Sequence, residues 1–244
     1  MCGIGGLITR NPETRIAAML KAIEHRGRDD EGLWTSAAID DDGRQVCLGH
    51  RRLSIIDTSS AGHQPMLSHD KRFVLVLNGE IYNYRELREQ LAARGHQFRT
   101  QTDTEVLLAG WAEWGEECLA HLNGMFAFAL WDDKERSLFL VRDHVGIKPL
   151  YYSQSAGGGL IFASEIKSIL ASGLHKAELD REALHQFLTF LWVPDPNTLF
   201  EDIKTVPPGH LVRWRNCDIE VRQWWDISFD QIEEGRTEAW WQEQ

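Results

Sequence analysis

The sequence has little cysteine, no excess of positive charge and no long apolar run, and each shortage excludes a class of protein. Its four cysteines, Cys2, Cys47, Cys118 and Cys217, lie too far apart for a CxxC pair or a finger-like zinc site. The first residues, MCGIGGLITR, lack the basic flank and long apolar stretch of an export signal. A cytoplasmic location is therefore expected, disulfides are not, and Cys47, Cys118 and Cys217 read as small core residues. Lys and Arg total 26 against 37 Asp and Glu, a formal charge of −11, which argues against a general nucleic-acid binder. No apolar run approaches the ~18 residues needed to cross a bilayer, so no membrane partner is expected. The ten histidines form no HxxxH or HExxH pattern, which leaves a metal site without support. A G-x-S-x-G nucleophile elbow is also missing.

What is present is enough for a packed core. The 244 residues are 43% hydrophobic and 26% charged, the balance of one large domain or of one domain plus a fragment. Ile16, Met19, Leu20 and Ile23 recur at helical spacing, predicting a helix over Glu13–His25 with Gly27 just past its end. DDDG at Asp40 to Gly43 reads as a hairpin turn before a strand near Gln45–His50. FVLVL, Phe73 to Leu77, is a short apolar strand, followed by a helix over Tyr84–Arg94 that stops at Gly95. Thr102 and Glu105 match a capping box opening a helix through Trp114. Strands are expected at Met125–Trp131, Ser137–Val141, Leu150–Ser153 and Leu160–Ala163, a short helix at Ser164–Leu170 and a last hairpin at His210–Trp225. Hairpin-linked strands with helices grouped between them make an α+β pattern with mostly antiparallel sheets. No repeat or low-complexity tract interrupts it.

A few residues could carry chemistry. Cys2 follows only Met1, whose removal is expected before a small residue. The chain would then begin with a thiol beside a free α-amine, at ~8.5 and ~7.7–8.0, close enough to share a proton near neutral pH. Judged by position alone, a cysteine at the second position is more often incidental. Asn78 and Gly79 offer a carboxamide and a backbone N–H as donors to a developing oxyanion, but Asn-Gly is also a hairpin-turn signal. The following IYNYREL reads as entering a helix, which weighs against the turn. Arg52, in GHRRLSIID, could grip a carboxylate bidentately or form a surface ion pair. Asp103 could bind an ammonium or complement a helix dipole.

Taken in order, MCGIGG, HRGRDDEG, GHRRLSIID, AGHQPM, LNGEIYNY, TDTEVLL, LNGMFAFALWD, RDHVGIKPLYY and FASEIKSIL resemble the N-terminal glutaminase domain of asparagine synthetases. That domain is a class II glutamine amidotransferase, an N-terminal-nucleophile hydrolase. The resemblance implies a four-layer αββα sandwich over residues 1–225. It implies that Cys2 attacks the glutamine side-chain amide with its own α-amine as base, and that Asn78 and the Gly79 N–H form the oxyanion hole. Arg52 would hold the α-carboxylate, Glu80 and Asp103 the α-ammonium side, and backbone near Ile55 would complete the pocket. A cysteinyl thioester would form, ammonia would leave and water would regenerate the thiol.

Two departures from the family stand out. Arg28 replaces its usual proline, which removes a fixed turn and is expected to loosen that loop. The SGGxDS loop that binds ATP phosphates in the family's second domain does not occur, so no cofactor is expected in this chain; ATP and magnesium would belong to a synthetase domain it lacks. Residues 226–244, with six acids and one Arg, resemble the lead-in to that domain. The expected partners are glutamine, a synthetase domain or subunit that accepts ammonia, and a second copy in a homodimer. The alternatives are a standalone class II domain serving another acceptor, or a non-catalytic regulatory or binding subunit of the same fold.

Overall fold

The computed structural model describes residues 1–155, 157–229, 238 and 240. Two six-stranded sheets organise the chain. The first holds β1 (Gly3–Thr9), β2 (Asp30–Thr35), β3 (Gln45–Arg52), β8 (Tyr151–Gln154), β9 (Leu160–Ala163) and β10 (Lys204–Thr205), in the order β10-β8-β9-β1-β3-β2. The second holds β4 (Met66–Leu67), β5 (Phe73–Ile81), β6 (Gly124–Asp132), β7 (Ser137–Arg142), β11 (His210–Arg215) and β12 (Asp218–Gln223), in the order β12-β11-β7-β6-β5-β4. Every pairing of these strands is antiparallel.

The period-2 alternation of side chains sorts these strands into three cores. Ile4, Ile8, Val46 and Leu48 of the first sheet meet Val74, Val76, Ala129 and Trp131 of the second between the sheets. The opposite face of the first sheet, with Leu7, Cys47 and Ile161, packs on Ile16, Met19 and Leu20 of α1 (Glu13–Ala22) and Ile169 of α4 (Ile166–Ala171). The outer face of the second sheet, with Leu75, Leu77, Phe128 and Leu130, packs on Leu87 and Leu91 of α2 (Tyr84–Ala93) and Leu107 and Trp111 of α3 (Asp103–Trp114). The architecture is therefore the αββα sandwich. Strands buried on both faces need apolar residues at every position, which is why FVLVL shows no polar alternation.

Several expectations need correction. The first α-helix ends at Ala22, and the turn at Glu24–Arg26 is 3-10, so the helical periodicity outlasts the α geometry. The strand through FVLVL does not stop at Leu77. It runs to Ile81, and Asn78 and Gly79 pair with Ala127 and Phe126 in its middle, so the Asn-Gly pair forms no turn. Cys217 is not in the core: with Asn216 it makes the turn between β11 and β12, both residues at positive φ. Cys47 and Cys118 are buried as expected. Thr102 caps α3 by accepting from the Glu105 N–H, yet Glu105 reaches past Thr102 to the N–H groups of Arg99 and Thr100, so the box closes one turn further back. The strand Gly3–Thr9, the strand Asp30–Thr35 and α5 (Arg181–Phe190) carried no reading from sequence. Most of the acidic tail, residues 230–237, 239 and 241–244, lies outside the described residues.

Candidate active site

One cavity of about 280 Å³ is lined by Cys2, Arg52, Ile55, Asn78, Gly79, Glu80 and Asp103, every residue the sequence singled out. They arrive from four directions. Cys2 immediately precedes β1, a strand paired on both sides by β3 and β9, so the backbone beneath the thiol is held by the sheet. The Arg26 guanidinium adds a bond from Nε to the Cys2 carbonyl (2.8 Å) and is itself tied through Nη1 to Glu165 (2.9 Å). Arg26, Lys167 and His25 around Glu165 outweigh its burial and draw its carboxyl down to about 2. The Leu53 N–H donates to Cys2 Sγ (3.4 Å). Burial pushes the thiol up, and the Leu53 bond, the positive chain terminus and Arg52 oppose that rise.

Arg52 ends β3 with its side chain buried. Its Nη1 donates to Ser59 O (2.9 Å) and its Nη2 to Asp57 O (2.5 Å), so the guanidinium holds the loop that carries Ile55. Gly62 makes room for it: a Cβ there would collide with Arg52 Nη2. Next to Arg28, Asp29 N donates to Arg52 O (3.0 Å) and Asp29 Oδ2 accepts from Ser54 N (2.8 Å).

Asn78 is fully buried on the inter-sheet side of β5, and neither its Oδ1 nor its Nδ2 meets a hydrogen-bond partner in the protein. A satisfied side chain is the rule at such a position, so an unpaired carboxamide facing a cavity stands out as a donor held for something else. Gly79 must lack a side chain because a Cβ would run into the Met125 carbonyl on the neighbouring strand. Its N–H shares an edge with those of Leu77 and Ile81, two residues away on either side. Leu77 N donates to Gln64 Oε1 (2.7 Å) and Ile81 N to Asp103 Oδ2 (3.0 Å), so that edge faces away from β6.

Asp103 opens α3 next to the Thr102 cap and is buried. Burial raises its carboxyl above the ordinary value; bonds from Ile81 and the first helical turn oppose the shift, and nearby Glu80 adds to it. Glu80, half-buried, lines the same end of the cavity. The cavity is thus lined by a thiol, two oxyanion-type donors, a guanidinium and two carboxylates. Chemically it suits an amide bearing an α-amino acid head.

Sequence reasoning missed His50, Gln64 and Lys148. His50 is buried beneath β5, its ring pushed down to about 4 by burial, so it is neutral and its Nε2–H donates to the Leu77 carbonyl (3.1 Å). Gln64 and Lys148 line the cavity. Gln64 stood in the AGHQPM segment and Lys148 in GIKPLYY, but only the fold brings them to the strand that carries Asn78. Among the described residues, no group of three or more His, Cys, Asp or Glu could hold a metal ion.

The family model for the glutamine amidotransferase domain matches residues 1–225, and the chain belongs to that family, class II. It is 39% identical over 241 residues to asparagine synthetase [glutamine-hydrolyzing] 1 of Bacillus subtilis, covering 96% of this chain and 37% of that protein. Similarity to a putative asparagine synthetase [glutamine-hydrolyzing] of Mycobacterium tuberculosis is 41% over 222 residues, 87% of this chain and 33% of that one. The amidase chry2 of Gibberella zeae is 36% identical over 244 residues, 94% of this chain and 35% of its own. The chain thus spans little more than a third of these relatives' length. Among solved structures, the glutamine phosphoribosylpyrophosphate amidotransferase of B. subtilis superposes with a TM-score of 0.66 at 19% identity, over 91% of this chain and 49% of that one, a likeness of fold. No described helix is long and apolar enough to cross a membrane.

Proposed function

We propose that this domain hydrolyses the glutamine side-chain amide to glutamate and ammonia through a thioester on Cys2. The observation that carries the reading is the buried, unpaired Asn78 carboxamide beside the open N–H edge at Gly79, set in one cavity with Cys2. With Met1 removed, the Cys2 α-amine takes the thiol proton and the sulfur attacks the amide carbon. The oxyanion is received by Asn78 Nδ2 and the Gly79 N–H. The amine returns the proton to the departing nitrogen, the C–N bond breaks and ammonia leaves. Water then adds to the thioester and releases glutamate and the thiol. Arg52 holds the α-carboxylate, with Ile55 on the loop it braces, and Asp103 with Glu80 holds the α-ammonium.

The ammonia is passed to a synthetase domain or subunit that amidates aspartate, and residues 226–244 lead towards it from the catalytic domain, residues 1–225. Two observations support a partner. The relatives named as asparagine synthetases are almost three times longer than the matched region. In α5, Leu184, Phe187 and Leu188 recur at offsets of a helical stripe, yet only Ala183 of that helix is buried. A second reading, a class II domain serving a different acceptor, is favoured by the relative named an amidase. The test is turnover by the chain itself, free of Met1. Ammonia and glutamate should appear from glutamine without ATP consumption. No ammonia would leave a non-catalytic subunit of the same fold, and asparagine formed from ATP, aspartate and ammonia would refute the division of labour.

A further inference from the structure

An oxyanion hole built from a strand has a difficulty of its own: the strand's N–H groups are what a neighbouring strand normally takes. β5 has β6 on one side for its whole length, but on the other side β4 pairs only with Val74 and Leu75. Beyond Leu75 the ladder is replaced by side chains. Gln64 Oε1 accepts from Leu77 N (2.7 Å), the Leu77 carbonyl is taken by His50 Nε2 (3.1 Å), and Asp103 Oδ2 accepts from Ile81 N (3.0 Å). Gly79 lies midway between the two pinned amides. Gln64 is 6% exposed, and its other end is fixed as well, with Nε2 donating to Thr104 Oγ1 (3.2 Å) at the start of α3. One side chain therefore ties the oxyanion strand to the helix whose first residue is Asp103.

Resting on the glutaminase reading, we infer that Gln64 is a positioning residue for the oxyanion hole. It stands where a further ladder partner would be, holds Leu77 in register, and so fixes the direction of the next amide on that edge, Gly79 N–H, without occupying it. A neighbouring backbone could not do this, because a continued strand would claim the Gly79 N–H too. Only an isolated acceptor at Leu77 keeps the strand straight and leaves the following donor for the substrate. The second anchor at Thr104 keeps the carboxamide from swinging into the cavity that it lines.

The contribution belongs to the transition state, so its loss should fall on kcat. In Met-free protein, Gln64→Leu, of similar size but with neither polar atom, should lower kcat about 10- to 100-fold. That is less than the ~10²–10³ for removing an oxyanion donor outright, and the glutamine KM should move by less than about threefold. Gln64→Glu should recover most of the rate, since a carboxylate still accepts from Leu77 N and the Thr104 hydroxyl can turn to donate. A role limited to folding would not give this split or this rescue. Should Gln64→Leu fail to fold, Thr104→Val loosens the same carboxamide from its other end and should cost kcat about 3- to 10-fold. Unchanged kcat in the folded Leu or Val variant, a KM that rises as far as kcat falls, or a Glu variant as slow as Leu would overturn the assignment while leaving the glutaminase reading intact. Absence of turnover in wild-type protein would overturn both.

Discussion

Replacing Asn78 with Leu should make the protein more stable and almost inactive at the same time. The side chain is 0% exposed and both polar atoms are without a protein partner. A buried group left unpaired costs about 1–3 kcal/mol, so the two together hold about 2–6 kcal/mol against the fold. Leu is close in size and apolar, and its branched end costs about 1–3 kcal/mol in a tight core. Val74, Val76 and Ala127 already line that layer, so the receiving environment is hydrocarbon. From the middle of each range the net expectation is a gain of about 2 kcal/mol, which for a chain of this size raises Tm by ~4–8 °C. Thermal unfolding followed by circular dichroism measures that gain, and ammonia release measures the loss, expected at about 10²–10³-fold in kcat. A Tm that falls, or a variant that keeps more than about a tenth of the activity, would refute the view that this carboxamide is held unsatisfied for the reaction.

Two further outcomes follow from the same cavity. Because burial raises Asp103, its ionised form is lost at a higher pH than for an ordinary carboxylate at ~3.9. On the proposed binding mode the glutamine ammonium pairs with the ionised form, so kcat/KM should decline on the acid side through that raised value. Asp103→Asn should flatten this limb and lower kcat/KM about 10²-fold, roughly the 3 kcal/mol of a broken buried pair; an unaltered pH profile would exclude the pairing. A diazoketone analogue of glutamine should add once, to Cys2, in Met-free protein. Adducts on Cys47, Cys118 or Cys217 by intact mass and peptide mapping, or full activity with Met1 retained, would remove Cys2 and its amine from the mechanism.

Much of this was legible in the sequence where the signal was local. Helical spacing marked α1 through Ile16, Met19 and Leu20, and the Thr102 cap marked the start of α3. Asn78-Gly79 was ambiguous alone, because the dipeptide also suits a type I′ turn; here Gly79 is needed because Met125 O crowds it, not because φ is positive. β1 escaped because three of its seven residues are glycines, which carry no apolar alternation. α5 was readable by the same signals, an apolar stripe through Leu184, Phe187 and Leu188 behind an Asp180 cap, and went unread. Gln64, His50 and Arg26 were invisible because each acts on a residue distant in sequence, and only strand register brings them there.

The placement of β1 also constrains how the protein can be handled and how it can diversify. Cys2 lines the cavity and runs straight into a strand paired with β3 from Gly3 and with β9 from Gly5, so the terminus has little slack with which to step aside. Residues added in front of Cys2 must leave through the cavity mouth that Met1 already lines, where they compete for the same space as the ligand. Affinity tags therefore belong at the far end of the chain.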